Sequence, residues 1–323
     1  MSEGSNTPGP VDPGARVGEG SDESRESDPS AFTTSSALRR VALYGTVLAL
    51  VAFYLTPIET GLVTAIKTSE AVRTTLPFLP PGPDGFTVEK WVYAFDALSH
   101  GMVNSMLFTI PSTILCAVFG SMAAYGLTLV DWRGQIAVLA LFIAGIFIPY
   151  QAVIIPLSEF WSIWMNLDER LAFLWALPLL EPHHATILEL IVTHTGYGIP
   201  ICTILFRAQY KTMSWEMIEA ARLDGASLWR GYRRIVLPLS VPMFAVVFIF
   251  QFTQVWNEFL FSLTIIRSVG DPAASVTLIL SGLGEALEGV DFPLRMAGAF
   301  IAALPTLVVY VLFADQFAEG VRV

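Results

Sequence analysis

The chain has 323 residues, of which 54% are hydrophobic and 14% charged, with a mean hydropathy of +0.60. A soluble domain carries about 25% charged residues. A soluble single-core domain is therefore excluded, because its surface needs more polar residues than this chain supplies, and part of its solvent must be lipid. The net charge of −10, from 28 acidic and 18 basic residues, argues against a nucleic-acid partner, whose phosphates require a basic surface.

Only Lys67, Lys90 and Lys211 are lysines, and the remaining basic residues are Arg. An acidic, Lys-poor membrane protein suits a high-salt cytoplasm, where extra carboxylates help solubility; ordinary compositional drift produces the same bias. Cys116 and Cys202 both lie in apolar runs and read as small buried hydrophobes rather than a disulfide framework.

In chain order, residues 1–37 form an acidic tail rich in Ser, Gly and Pro. It has no apolar run with which to offset the entropy of ordering, so it reads as disordered, and it lacks the pattern of a secretory signal. Residues 38–323 form the membrane domain. Since a helical span takes about 20 apolar residues, six spans are predicted at about 41–63, 103–130, 135–157, 185–206, 241–266 and 296–313. Pro and Gly interrupt several of them, which is tolerated where neighbouring helices or cavities re-satisfy the backbone. Four longer connectors separate the spans: 64–102 with Pro80-Pro81-Gly82-Pro83, 158–184 with Trp161 and Trp164, the basic 207–240, and the acidic 267–295.

Orientation follows from Lys and Arg near the spans. With the N-terminus inside, Arg39, Arg40, Arg133, Arg207, Lys211, Arg222, Arg230, Arg233, Arg234 and Arg322 are cytoplasmic. Only Lys67, Arg73, Lys90, Arg170, Arg267 and Arg295 fall outside, on longer connectors. Both termini are then cytoplasmic in a multi-pass protein of the cell membrane, and 207–240 is the main cytoplasmic loop.

That loop reads Glu219-Ala220-Ala221-Arg222-Leu223-Asp224-Gly225-Ala226-Ser227, followed by Ile235-Val236-Leu237-Pro238. Residues 215–223 suit a short helix with Ser214 as N-cap and Glu216 in the first turn. Asp224-Gly225 suits a turn. Ser227 suits a second cap, and Pro238 disfavours helix at Leu237. A basic amphipathic interfacial helix is the plainer reading, but it needs neither the Gly nor the Leu-Pro spacing.

The pattern E-A-A-x3-G-x9-I-x-L-P resembles the EAA loop of inner-membrane permease subunits of ABC importers. Further likeness lies in Asn104-Ser105, in Pro149, Gln151 and Pro156, in Gly198-Ile199-Pro200, and in Trp256-Asn257-Glu258-Phe259. Leu304-Pro305 with Tyr310, Phe313 and Phe317 extends it. From about residue 38 onward the chain is similar to the smaller permease of maltose-type carbohydrate uptake systems. The ending Glu319-Gly320-Val321-Arg322-Val323 departs from that family's Gly-Ala-Val-Lys-like tail.

The resemblance implies an all-α integral membrane protein of the type I ABC importer permease fold with a cytoplasmic coupling loop. Glu219, Ala220, Ala221, Asp224, Gly225, Ile235, Leu237 and Pro238 would couple to a separate ATPase. The chain would hold no cofactor, ATP and Mg sitting on that subunit, and would catalyse no covalent reaction. Its partners would be a second, different permease, an ATP-binding subunit dimer and an extracytoplasmic solute-binding protein, with a sugar as cargo. An ABC permease for another solute, such as glycerol phosphate, a peptide or an amino acid, would share the loop. A stand-alone secondary transporter would leave it unexplained.

Two groups remain. Trp256, Asn257 and Glu258 could line the substrate path, since an intramembrane carboxylate faces a bundle interior or a cavity. The plainer reading is that Asn257 and Glu258 pair with the partner subunit or end a helix, since polar residues also glue helices together. His183 and His184 with Glu181 and Glu189 match no metal motif and read as a polar outer rim. No G-x-x-x-x-G-K-[ST] or G-x-S-x-G element occurs, which removes a resident ATPase or serine hydrolase from the readings.

Overall fold

The computed structural model describes residues 29–316 except Arg267, Leu287 and Glu288, with side chains from Leu38 onward except Trp215 and Ala286. Contacts divide the chain into two units, Met1–Leu55 and Thr56–Val323. In the first unit the described residues belong to helix α1, Pro29–Ala65, which continues into the second. Most of the expected tail lies outside the described residues, but 29–37 are already helical. The α1 stretch exposes Leu43, Val47, Leu50 and Phe53.

In the second unit, α2 (Ser69–Thr74) precedes α3 (Glu89–Gly126), and α4 (Gln135–Ile146) precedes α5 (Tyr150–Glu159). A π-helical stretch, Phe160–Met165, and the short α6 (Leu167–Arg170) lead to α7 (His183–Tyr210). The coupling region comes next as α8 (Trp215–Leu223), α9 (Leu228–Gly231), a π-helical stretch (Tyr232–Val236) and α10 (Leu237–Leu239). The chain then runs through α11 (Val241–Trp256), α12 (Leu260–Ile265), α13 (Val276–Gly282) and α14 (Phe292–Leu312). A minimal hairpin, β1 Glu285–Ala286 against β2 Gly289–Val290, interrupts the helices.

Among the described residues, four helices are long and apolar enough to cross a membrane, and six spans result if each bent pair counts as one. The pairs explain where apolar runs mislead. The expected span 135–157 is α4 and α5, with a bend of 95° between Gln135–Ile146 and Tyr150–Leu174. Pro149 sits at the bend as the N-cap of α5 and lacks the amide that would continue a helix. The expected span 241–266 ends its helix at Trp256 and restarts at Leu260. The span at 103–130 belongs to a helix that starts at Glu89, whose first turns mix Trp91, Val92, Tyr93 and Phe95 with Glu89, Lys90, Asp96 and His100 and so break the apolar run. Its 38 residues extend about 57 Å, well beyond an apolar layer of about 30 Å.

Asn104 and Ser105 acquire a physical role here. The Asn104 amide donates to the carbonyls of Pro272 and Ala274 at 2.8 and 3.0 Å. The Val276 amide donates to Ser105 Oγ at 2.9 Å. Together they fasten the connector between α12 and α13 against α3. Lys90 and Asp291 pair at 2.5 Å alongside. Trp161 is buried, and its indole donates to Thr193 Oγ1 at 2.9 Å. Trp164 is exposed.

α3 and α7 pack closely through small residues, as expected where lipid removes the hydrophobic drive for helix association. A Cβ on Gly120 would stand 2.6 Å from Cys202 Cβ, whereas one on Gly126 meets nothing within 4 Å. Gly120→Ala should therefore lower the thermal unfolding midpoint in detergent by the equivalent of about 1–3 kcal/mol, with Gly126→Ala leaving it nearly unchanged. Cys116 and Cys202 are free and buried at this contact.

Candidate functional site

The EAA segment lies on α8 and the turn after it. Ile218 is its buried anchor, packed in a cluster with Tyr125, Phe206, Tyr210, Tyr232 and Val236. Glu219 and Ala220 are exposed on the opposite face, and Ala221 is half-buried. Ser214 occupies the N-cap with extended backbone, but its hydroxyl donates to Glu216 Oε2 at 2.6 Å rather than capping an amide. That bond holds the fully exposed Glu216 carboxyl below its ordinary range.

The helix ends in a Schellman turn. The Ala226 amide donates to Ala221 O and the Gly225 amide to Arg222 O, each at 3.0 Å, the paired closure expected of that motif. Gly225 sits at φ +78°, a conformation that costs a residue with a Cβ. Asp224 and Gly225 are both exposed at the tip. Ser227 then caps α9, accepting from the Arg230 amide at 3.4 Å.

Pro238 does not end the helix at Leu237, which stays helical at φ −60°, ψ −47°. The π register of Tyr232–Val236 widens the turn that the proline ring would otherwise strike. Ile235 and Leu237 are half-buried beneath the unit, and Pro238 is exposed. The chain then bends by 76° into α11.

The unit is tied to α3 and the segment after it. The Arg222 guanidinium donates to Leu129 O. Tyr125 donates to Leu228 O at 3.1 Å. Ser121 Oγ bonds the hydroxyls of Tyr210 and Tyr232 at 2.6 and 2.9 Å. These bonds join α8 to the segment after α3, α9 to α3, and α3 to α7. Sequence reasoning missed Ser121, Tyr125 and Tyr232, since no motif marks a hydroxyl in an apolar helix as a partner of residues about 90 to 110 positions away.

At the break after α11, the expected trio separates. The Trp256 indole is buried, stacks on Phe252 at 5.8 Å and donates to Ala302 O at 2.9 Å. Asn257 is the C-cap residue, and its amide donates back to Thr253 O. Of the three, only Glu258 lines a cavity of about 250 Å³ between α7, α11, α12 and the α4–α5 bend. Its carboxylate accepts from the Leu260 amide at 2.6 Å and the Phe261 amide at 2.9 Å. It thus serves the unpaired amides at the start of α12, an N-terminal position where negative charge is favoured.

Towards the opposite end from the coupling unit, His183 Nδ1 lies 3.2 Å from Glu181, and His184 Nδ1 contacts the backbone of Glu181. Among the described residues, no three His, Cys, Asp or Glu side chains converge as a metal site.

A membrane-embedded helical domain with a docked helix–turn–helix at one end and a polar cavity at a helix break is the architecture of an importer permease. Residues 117–319 match the family of binding-protein-dependent transport system inner membrane components, and the chain belongs to that family. Members are the permease subunits of ABC importers, with ATP hydrolysis on a separate subunit.

The xylose/arabinose import permease protein XacI of Haloferax volcanii is 49% identical over 296 residues, covering 91% of this chain and 96% of that protein. A probable ABC transporter permease protein of Pyrococcus horikoshii is 37% identical over 284 residues, covering 87% and 94%. A bacterial alginate ABC transporter, crystallised with its alginate pentasaccharide-bound periplasmic protein, contains a chain of the same fold. Its TM-score is 0.61 at 15% identity, covering 86% of this chain and 94% of that one.

Proposed function

We propose that this chain is a permease subunit for sugar import, with aldopentoses the first substrates to test. A solute-binding protein delivers the sugar on the outer side. A second, different permease completes the pathway, and two ATP-binding subunits carry ATP and Mg beneath. Both termini lie in the cytoplasm. Closure of the ATPase pair moves Glu219, Ala220, Ala221, Asp224 and Gly225, and the segment through Ile235, Leu237 and Pro238 turns this into rotation of α11. The trio at its far end moves with it: Glu258 on the substrate path, with Trp256 and Asn257 holding the helix end.

The observation that supports this reading is the helix–turn–helix unit, an exposed Schellman turn with α8 tied through Arg222 to the segment after α3 and α9 tied to Tyr125 of α3. The sugar class is supported by the named substrates of the relative at 49% identity.

The experiment is affinity purification of the tagged chain from its native membrane in mild detergent. A P-loop ATPase and a second permease should come with it, and proteoliposomes of the complex should take up xylose or arabinose only with internal ATP and the binding protein. Purification without an ATPase, or uptake that ignores ATP, overturns the importer reading in favour of a stand-alone transporter.

A further inference from the structure

We propose that the segment between the Gly225 turn and α11 is a binding site for the phosphate headgroups of anionic lipids, held by Arg230, Arg233 and Arg234. The site goes beyond the import reading and does not depend on what is carried. The helical run Leu228–Leu239 meets α11 at a bend of 76°. α11 enters the apolar layer, so this run lies nearly along the membrane surface. One face of it is occupied by the bundle, since Tyr232 and Val236 are buried in the cluster with Tyr125 and Tyr210. The three arginines are exposed. They stand three or four residues apart, which places them together on the other face.

Like charges at that spacing repel one another, and the chain has carboxylates enough to relieve them, with 28 acidic residues. Among the described residues, however, none of the three guanidiniums enters an ion pair. The fold thus keeps three cations side by side for an anion that it does not supply. A guanidinium presents its donors as a planar fork that matches two phosphate oxygens, and neighbouring forks can share one headgroup.

The side chains flanking the arginines identify the phosphate as a lipid's. Trp229, Leu239 and Val241 are 58%, 49% and 60% exposed. Arginine beside exposed tryptophan and aliphatic groups is the composition of a helix seated in a membrane interface, with the apolar side chains entering the acyl boundary and the cations meeting the headgroups. Arg234 precedes the start of α11 by about 10 Å of helix, which keeps it at the level where the span begins. A free phosphate compound would need no such apolar margin. The exposed Asp224-Gly225 tip lies at the other end of the unit, beyond the Ser227 cap.

The test uses the full chain, purified with its accompanying subunits in mild detergent and reconstituted into phosphatidylcholine vesicles. The probe is a small fraction of phosphatidylglycerol carrying a photoactivatable group next to the headgroup, and phosphatidylcholine with the same group is the neutral control. Cross-linked peptides are quantified by mass spectrometry. We expect the anionic probe to label residues 228–241 well above the neutral one. Labelling should fall about fivefold in Arg233→Gln, the attraction that one basic residue contributes near an anionic surface. It should fall further when all three arginines become Gln, and Arg233→Lys, which keeps the charge, should recover part of it.

Equal labelling by the two probes, or labelling that ignores the loss of the arginines, overturns the headgroup site. Unchanged labelling in Arg233→Gln, together with loss of a co-purifying ATP-binding subunit, overturns it too and assigns the arginines to that subunit. If the triple variant fails to assemble, Arg233→Gln decides alone.

Discussion

Gly225→Ala should cut ATP-driven uptake about tenfold while leaving the chain folded in the membrane. Gly225 holds φ +78°, where a Cβ costs about 1–2 kcal/mol, and about 1.4 kcal/mol is a factor of ten. The strain falls on the Schellman closure of α8, not on the bundle, so thermal stability of the transmembrane part should move little. Gly225→Asn separates two causes. Asn adopts the left-handed region far more readily than Ala, and a Cβ at 225 meets nothing within 4 Å in this chain. Recovery of uptake by Asn means that the turn geometry is what the glycine supplies. Failure of both variants places the constraint in the docked ATPase, which would then approach the backbone too closely for any side chain. Normal uptake by Gly225→Ala would remove the turn from the coupling path.

The second large effect is expected at Glu258. Its carboxylate serves the Leu260 and Phe261 amides, and it is 9% exposed. Glu258→Ala leaves two amides at the start of α12 without an acceptor in a region lacking bulk water. Each such loss costs about 1–3 kcal/mol, so the variant should unfold in detergent at a clearly lower temperature and accumulate poorly. Glu258→Gln keeps one acceptor oxygen and should recover most of the stability. Equal stability of Glu258→Ala and wild type would mean that the cap contributes nothing and the residue is kept for the cavity alone.

These two residues show what the sequence discloses and where it stops. The coupling turn is legible because its chemistry is local: Asp-Gly closes a turn, Ser227 caps the next helix, and the spacing to Leu-Pro fixes a unit. The existence of six apolar stretches is legible for the same reason. The geometry of their interruptions is not: Pro149 and Asn257-Glu258 mark places where a helix could end, but only the structure shows the 95° bend at the first and the stop at Trp256 before the second. Trp256 reads as a candidate for the substrate path because tryptophan serves equally well in a cavity wall or in a core, and the partner that decides, Ala302 O, is on a distant helix. His194 carries no signal at all. A lone histidine in an apolar run gains meaning only from the carboxylate opposite it, at the α11–α12 break.

The ties between the coupling unit and the bundle have one property that bears on the acidic surface. Tyr125 to Leu228 O and Ser121 to Tyr210 and Tyr232 join neutral groups, and only Arg222 brings a charge, to Leu129 O. Molar electrolyte shortens the reach of exposed charges to about 3 Å, and linkages between opposite charges would slacken as ionic strength rose. Bonds among hydroxyls and carbonyls inside a hydrophobic cluster are indifferent to it. The hydroxyl ties at Ser121, Tyr125, Tyr210 and Tyr232 should therefore hold alike in dilute and in concentrated brine, with salt acting on the exposed acidic surface.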